Sequence, residues 1–189
     1  MNLLTRHFRQ LLTFDGRENR EPFWLWVLAL YIAQTVISFV AMIPIMVRMF
    51  QNITYMAETQ HPGQQPDSNA MFGMIQPMMT TMGALGAVLG LMLILLASAA
   101  VVRRLHDSDR RGWWALPTLI LHVAGQAAGL ALLARGRLVI DPHHPYANFG
   151  AGIGSIQILG FLALIFLAVL LALPGTDGVN RFGEDPLPR

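Results

Sequence analysis

The chain has 189 residues, 54% of them hydrophobic and 13% charged, with a formal net charge of +2 and no cysteine. Soluble domains carry about 25% charged residues, so the composition argues against one, and without cysteine there is no disulfide, thiol catalyst or cysteine-based metal site. All 13 basic residues are Arg, and they flank or join apolar runs instead of forming a basic face with interleaved aromatics, so no nucleic-acid partner is expected.

Residues 1–13 predict a short amphipathic helix. At helical spacing Leu3, Leu4, Phe8, Leu11 and Leu12 share one half and Arg6, Arg9 and Thr13 the other. That pattern suits a helix lying in the headgroup layer or packing on a bundle. Asp15-Gly16 is a turn signal, and Asn19 is placed to cap the next helix. Pro22 to Val47 then supplies 26 residues without a charge, enough to cross a hydrocarbon core of about 30 Å. Pro22 falls in the first turn, where a missing N–H costs little. Trp24 and Trp26 are placed for the membrane interface. The run is too long for a cleavable signal and reads as a retained anchor.

Arg48 to Met79 forms a long connection. Its centre, His61 to Asn69, is polar and turn-rich and predicts a loop. Met71 to Met79 predicts a short extension bent near Pro77. Thr80–Val102, Trp113–Ala134 and Ile153–Leu173 follow, with 23, 22 and 21 residues. Strands of that length would break the alternation a barrel requires. The expected fold is therefore an all-α membrane protein. It has four transmembrane helices (22–47, 80–102, 113–134, 153–173) and an N-terminal interfacial helix, in one domain over 1–189. Gly86-x-x-x-Gly90 and Gly125-x-x-x-Gly129 predict close packing of the second and third spans. The last connection, Arg135 to Gly152, holds Asp141-Pro-His-His-Pro145.

Arginines near spans favour the cytoplasm. With both termini inside, ten lie on that side (Arg6, Arg9, Arg17, Arg20, Arg103, Arg104, Arg110, Arg111, Arg181, Arg189) and three outside (Arg48, Arg135, Arg137). The expected location is a bacterial inner membrane, crossed several times, with both termini cytoplasmic.

Three blocks meet at the inner face: Phe14 to Trp24, Arg103 to Trp114, and Pro174 to Gly183. They resemble the DUF805 family, small bacterial inner-membrane proteins of unknown function. Gly16, Arg17, Arg20, Phe23 and Trp24 match its first block. Arg103, Arg104, Leu105, His106, Asp107, Gly112, Trp113 and Trp114 match its loop. Pro174, Gly175, Gly178, Asn180, Phe182 and Gly183 match its last block. Ser108 to Gly112 departs from the family's usual loop, and both outer connections are longer than its usual links. The resemblance implies a membrane address and an architecture, but no activity.

Arg17, Arg20, Arg103, Arg104, Arg110 and Arg111 are expected to converge just below the headgroups. Guanidinium forks suit phosphate, and basic pockets between spans on this side bind anionic lipid. Together with His106, Asp107, Trp113, Trp114 and Asn180 they form the candidate site, for a lipid headgroup, a phosphorylated molecule or a membrane partner. The competing account is structural: Arg sets orientation, Trp sets depth, and Glu18, Glu21, Asp107 and Asp109 neutralise charge. A non-enzymatic role is expected. His106 and Asp107 are adjacent, about 100° apart on a helix, which is poor for a dyad. No nucleophile elbow is present, and Gly150-x-Gly-x-Gly154 lacks the βαβ context of a dinucleotide loop. The alternative function is a subunit of a small-molecule or ion transporter or channel, working as a homo-oligomer.

Two further features stand apart. His122 and Gln126 lie one turn apart inside the third span. An ionisable residue there is a functional hypothesis by default, set against a hydrogen bond to Gln34, Thr35, Ser38 or Ser98. Met71, Met74, Met78, Met79 and Met82 form a stripe, near Met42, Met46 and Met49 and the outer-loop His61, His143 and His144. Such soft ligands select Cu(I), but Met more often serves as adaptable packing. No catalytic residue, metal or cofactor is predicted.

Overall fold

A computed structural model describes residues 3–59, 68–134 and 153–186, with side chains over 4–58, 77–131 and 158–186. His61, Arg135, Arg137, Asp141, His143, His144, Gly150 and Arg189 fall outside the described residues, and only the backbone is described at Met71 and Met74. The described chain is helical: α1 (Leu3–Arg9), α2 (Arg20–Thr59), α3 (Ser68–Asp107), a 3-10 turn (Gly112–Ala115), α4 (Leu116–Ala134) and α5 (Ile153–Ala172). The one β-type pairing among these residues is an isolated bridge between Asn180 and Gly183.

The start of α2 follows the sequence signal. Asn19 Oδ1 accepts from Arg20 N at 2.7 Å, and the Asn19 carbonyl accepts from Phe23 N at 3.3 Å. The far ends of α2 and α3 differ from expectation. Each helix has 40 residues, or about 60 Å at 1.5 Å per residue, twice the hydrocarbon thickness. No Gly, Pro or charged residue interrupts Met49–Ala57, so the chain stays helical past the apolar run. Ser68 and Asn69, expected in the loop, belong to α3, which continues through Pro77.

Three helices are long and apolar enough to cross a membrane, within Arg20–Glu58, Pro77–Asp107 and Gly112–Ala131. The side chains of α5 from Ile158 to Ala172 form a shorter apolar run. α2 packs against α3, α3 against α4, and α4 against α5. Between α4 and α5, Thr118 Oγ1 donates to the Ala163 carbonyl at 2.9 Å.

The core lies at one end of the bundle. Phe23, Trp26 and Leu30 of α2 meet Ala100 and Leu105 of α3 and Leu167, Leu170 and Leu171 of α5. Away from it, Tyr31, Phe39, Leu95, Ile120 and Phe161 are each more than half exposed. Such surface is stable facing lipid tails, which are as apolar as the side chains themselves.

Trp26 corrects the sequence reading. It is not an interface anchor: it is 1% exposed, and its indole N–H donates to the Leu96 carbonyl at 3.2 Å. Trp24, 40% exposed, faces outward. Trp26→Phe is expected to destabilise by about 1–2 kcal/mol through the lost bond and lost volume, read as a lowered thermal midpoint in detergent.

The glycine pattern is realised in part. Gly90 and Gly125 are buried, and a Cβ on Gly90 would lie 3.5 Å from His122 Nε2 and 3.6 Å from Gln126 Nε2. Gly86 and Gly129 face open space. His122 therefore lies against α3 at Gly90. Two of its expected partners bond elsewhere: Thr35 and Ser98 hydroxyls donate to the Tyr31 and Leu95 carbonyls of their own helices. Met42 and Met82 share a small groove between α2 and α3.

Candidate functional site

α3 and α5 both end at the core end of the bundle, and a helix C-terminus leaves four carbonyls without intrahelical donors. α3 stops in a tight turn: Ser108 N and Arg110 N bond the Leu105 carbonyl at 3.2 and 2.9 Å, and Asp109 takes φ +53°. The last turn of α3 carries Arg103 and Arg104. Successive helical residues point about 100° apart, so these two guanidinium groups reach different parts of the chain.

Arg103 reaches the N-terminal segment. Its Nε and Nη2 meet Glu18 Oε2 at 3.0 and 2.9 Å, and its Nη1 donates to the Gln10 and Thr13 carbonyls at 3.0 and 2.6 Å. Glu18, 1% exposed, also binds His7 Nε2 and Arg6 Nη2, the latter at 3.3 Å. The His7 ring stacks on Trp26 with centroids 4.9 Å apart. His7 thus anchors α1 to the bundle from within the apolar half of the helix, at about 40° from Leu3.

Arg104 reaches α5. Its Nε donates to the Leu171 carbonyl at 2.8 Å and its Nη2 to the Leu173 carbonyl, while Nη1 binds Asp107 Oδ2. Burial pulls the Arg104 pKa down and the adjacent Asp107 carboxylate pushes it back up; an Arg stays charged through such opposition. Asp107 also holds Arg17, whose Nε and Nη2 lie 3.1 and 3.0 Å from Oδ1. Arg17 in turn donates to the carbonyls of Thr176 and Gly178 in the segment after α5. The Asp107 carbonyl accepts from Thr176 N at 2.8 Å.

The C-terminal segment closes over His106. Asn180 Nδ2 donates to the His106 carbonyl and to Thr176 Oγ1, both at 2.9 Å. Phe182 stacks on the His106 ring with centroids 3.8 Å apart and planes 3° apart. The other edge of that ring, Nδ1, donates to the Gly16 carbonyl at 3.2 Å. Burial lowers the His106 pKa, against the pull of the Gly16 carbonyl, and favours a neutral ring that can stack and donate at once. Gly178 and Gly183 take φ +73° and +131°, backbone that only glycine adopts without strain. Gly175 is needed for a different reason: a Cβ there would overlap the Asp107 carboxylate.

The eleven residues predicted for the site therefore divide. Arg17, Arg103, Arg104, His106, Asp107 and Asn180 converge, and each nitrogen of the three guanidinium groups already has a protein acceptor. Arg20 and Arg111 stand outside this network: among the described residues their guanidinium groups make no hydrogen bond or ion pair, and only their backbone groups are bonded. Arg110 uses Nη1 on the Ser108 carbonyl at 3.3 Å. Trp113 and Trp114 stack on each other at 4.6 Å; Trp114 leans on Phe166, and Trp113 is 52% exposed.

The sequence reading missed His7 and the carbonyls of Gln10, Thr13, Leu171, Leu173, Thr176 and Gly178. A backbone acceptor carries no sequence signal, because every residue has one. Buried charges persist when they are paired and fully hydrogen-bonded, and here much of that bonding comes from helix ends and turns.

A family model described as "Protein of unknown function (DUF805)" matches residues 11–184. No curated protein and no solved structure matches the chain.

Proposed function

This chain belongs to the DUF805 family, and from that premise we propose a non-enzymatic membrane protein whose cytoplasmic face holds anionic lipid headgroups around an internally locked centre. The matched blocks account for the lock. Gly16 and Arg17 from the first, Arg103 to Asp107 from the second, and Gly175 to Gly183 from the third bond to one another, and every guanidinium nitrogen of Arg17, Arg103 and Arg104 has a protein acceptor.

Ligand binding then falls to the rim. The observation that carries this reading is that the Arg20 and Arg111 guanidinium groups have no partner among the described residues and each stands close in sequence to an outward-facing indole, Trp24 and Trp113. Guanidinium at headgroup level with Trp at the interface suits anionic lipid. Arg110, with donors to spare, joins them. The Arg distribution supports four spans in an inner membrane with both termini cytoplasmic. The fourth span is α5, 20 residues long. Exposed Leu4, Phe8 and Leu12 support α1 lying in the headgroup layer, held by His7. The extra turns of α2 and α3 then project beyond the outer surface.

The test is native mass spectrometry from nanodiscs containing phosphatidylglycerol. Arg20→Gln with Arg111→Gln is expected to lower retained anionic lipid several-fold with no change in thermal midpoint. Each surface charge near anionic lipid contributes about 1 kcal/mol. Unchanged retention in the double variant would count against the rim.

A further inference from the structure

α2 changes character where it leaves the membrane. Pro44 stands 22 positions after Pro22, the start of the uncharged run, or about 33 Å along the helix, close to the hydrocarbon thickness of about 30 Å. Up to that point apolar residues face every side. Beyond it the two sides differ. Ile32, Phe39, Ile43, Met46, Phe50 and Ile53 fall within about 80° of one another around the helix, and each is more than half exposed. One face therefore stays apolar and uncovered from mid-span into the last turns of α2. Arg48, Gln51, Asn52, Tyr55 and Glu58 occupy the opposite side. α3 lies on a third side, where Ser38, Met42 and Ile45 meet Met82, Leu85 and Gly86 across a groove, so it flanks the apolar stripe without covering it.

We propose that residues 46–58 form an interfacial arm: α2 leans over at Pro44 and lays its Met46, Phe50 and Ile53 face into the headgroup layer of the membrane it has crossed. The occupant is lipid because the stripe continues the lipid-facing side of the span without a break. Upright, Phe50 and Ile53 would stand in water, which the hydrophobic effect opposes. A helix with one apolar and one polar face lies in the interface instead. Pro44 supplies the direction. It has no N–H for the Val40 carbonyl, and its ring crowds that carbonyl, so the helix opens on the proline side. Pro44 lies about 160° around the helix from Met46, so opening there tips the arm toward the stripe. α3 can follow. Met42 and Met82 line one groove; Pro44 lies two residues beyond the first and Pro77 five before the second, which sets the prolines at one level to within about 5 Å. The arm takes this place whichever side of the membrane is cytoplasmic.

The chain has no cysteine, so single cysteines carrying a fluorophore report each face of the full-length protein in vesicles of phosphatidylcholine and phosphatidylglycerol. Two quenchers are compared: iodide in the water and a nitroxide on a shallow acyl position of the lipid. Probes on Phe50→Cys and Ile53→Cys are expected to be quenched by the nitroxide several-fold more than probes on Gln51→Cys and Tyr55→Cys, with the order reversed for iodide. The substituted side chains are all exposed, so the variants fold, and their thermal midpoints check it. Equal iodide quenching at all four positions would place the arm upright in water and overturn the proposal. So would Phe50→Cys and Ile53→Cys probes shielded from both quenchers, because protein, such as a second copy, would then cover the face. Adding Pro44→Ala to Phe50→Cys restores the missing N–H and is expected to straighten α2 and raise iodide quenching several-fold; unchanged quenching would overturn the bend.

Discussion

Replacing Arg104 with Met is expected to destabilise the protein by about 3–5 kcal/mol, the range for removing one partner of a buried ion pair. Arg104 is fully buried, and its donors serve the Leu171 and Leu173 carbonyls and the Asp107 carboxylate. Met fills the volume but leaves the last carbonyls of α5 without donors and Asp107 short of a charge. Arg104→Lys is expected to recover only a small part, because one ammonium cannot span three acceptors set around a planar fork. The readout is the thermal midpoint in detergent. An unchanged midpoint in the Met variant would remove the argument that Arg104 joins α3 to α5.

Gly175→Ala should produce the next largest loss. The added methyl meets the Asp107 carboxylate, which cannot step aside because Arg17 and Arg104 hold it from both oxygens. Overpacking alone costs about 1–3 kcal/mol, and moving Asp107 also loosens two ion pairs. Gly178→Ala is the control. Its site has open space, and its φ of +73° imposes only backbone strain, about 1–2 kcal/mol. Gly175→Ala should therefore lower the midpoint further than Gly178→Ala, and it should expose the C-terminal segment to protease. The reverse order would show that turn geometry, rather than the close approach to Asp107, explains the glycines of this block.

These outcomes bear on what the sequence could and could not reveal. The apolar runs were legible because lipid demands a continuous run of apolar side chains. Their ends were less legible: Arg48 and the polar residues after it stop the apolar pattern without stopping the helix, so α2 runs on to Thr59. Trp26 was misread because the interface rule speaks to depth and not to rotation. Trp24 and Trp26 lie at similar depth, but about 200° apart around the helix, and only Trp26 turns toward α3.

Convergence of Arg17, Arg103, Arg104, His106, Asp107 and Asn180 was legible from three charged blocks, each at a span boundary. Their bonding was not. The guanidinium groups were read as phosphate forks, and in the structure they meet carboxylates and backbone carbonyls, which present oxygen at the same distances. The distinction between Arg103 and Arg20 depends on which side of α2 and α3 each projects from, and a flanking arginine count treats them alike.

The most direct test of the account is a double-mutant cycle on Arg17 and Asp107, which lie 90 positions apart in the chain and 3.0 Å apart in the structure. Unfolding free energies are compared for the parent protein, Arg17→Gln, Asp107→Asn and the pair. The account predicts a coupling energy of about 1–3 kcal/mol, as for residues in one buried network. Additive losses, within about 0.5 kcal/mol, would mean that the two blocks do not hold each other and would contradict the locked centre.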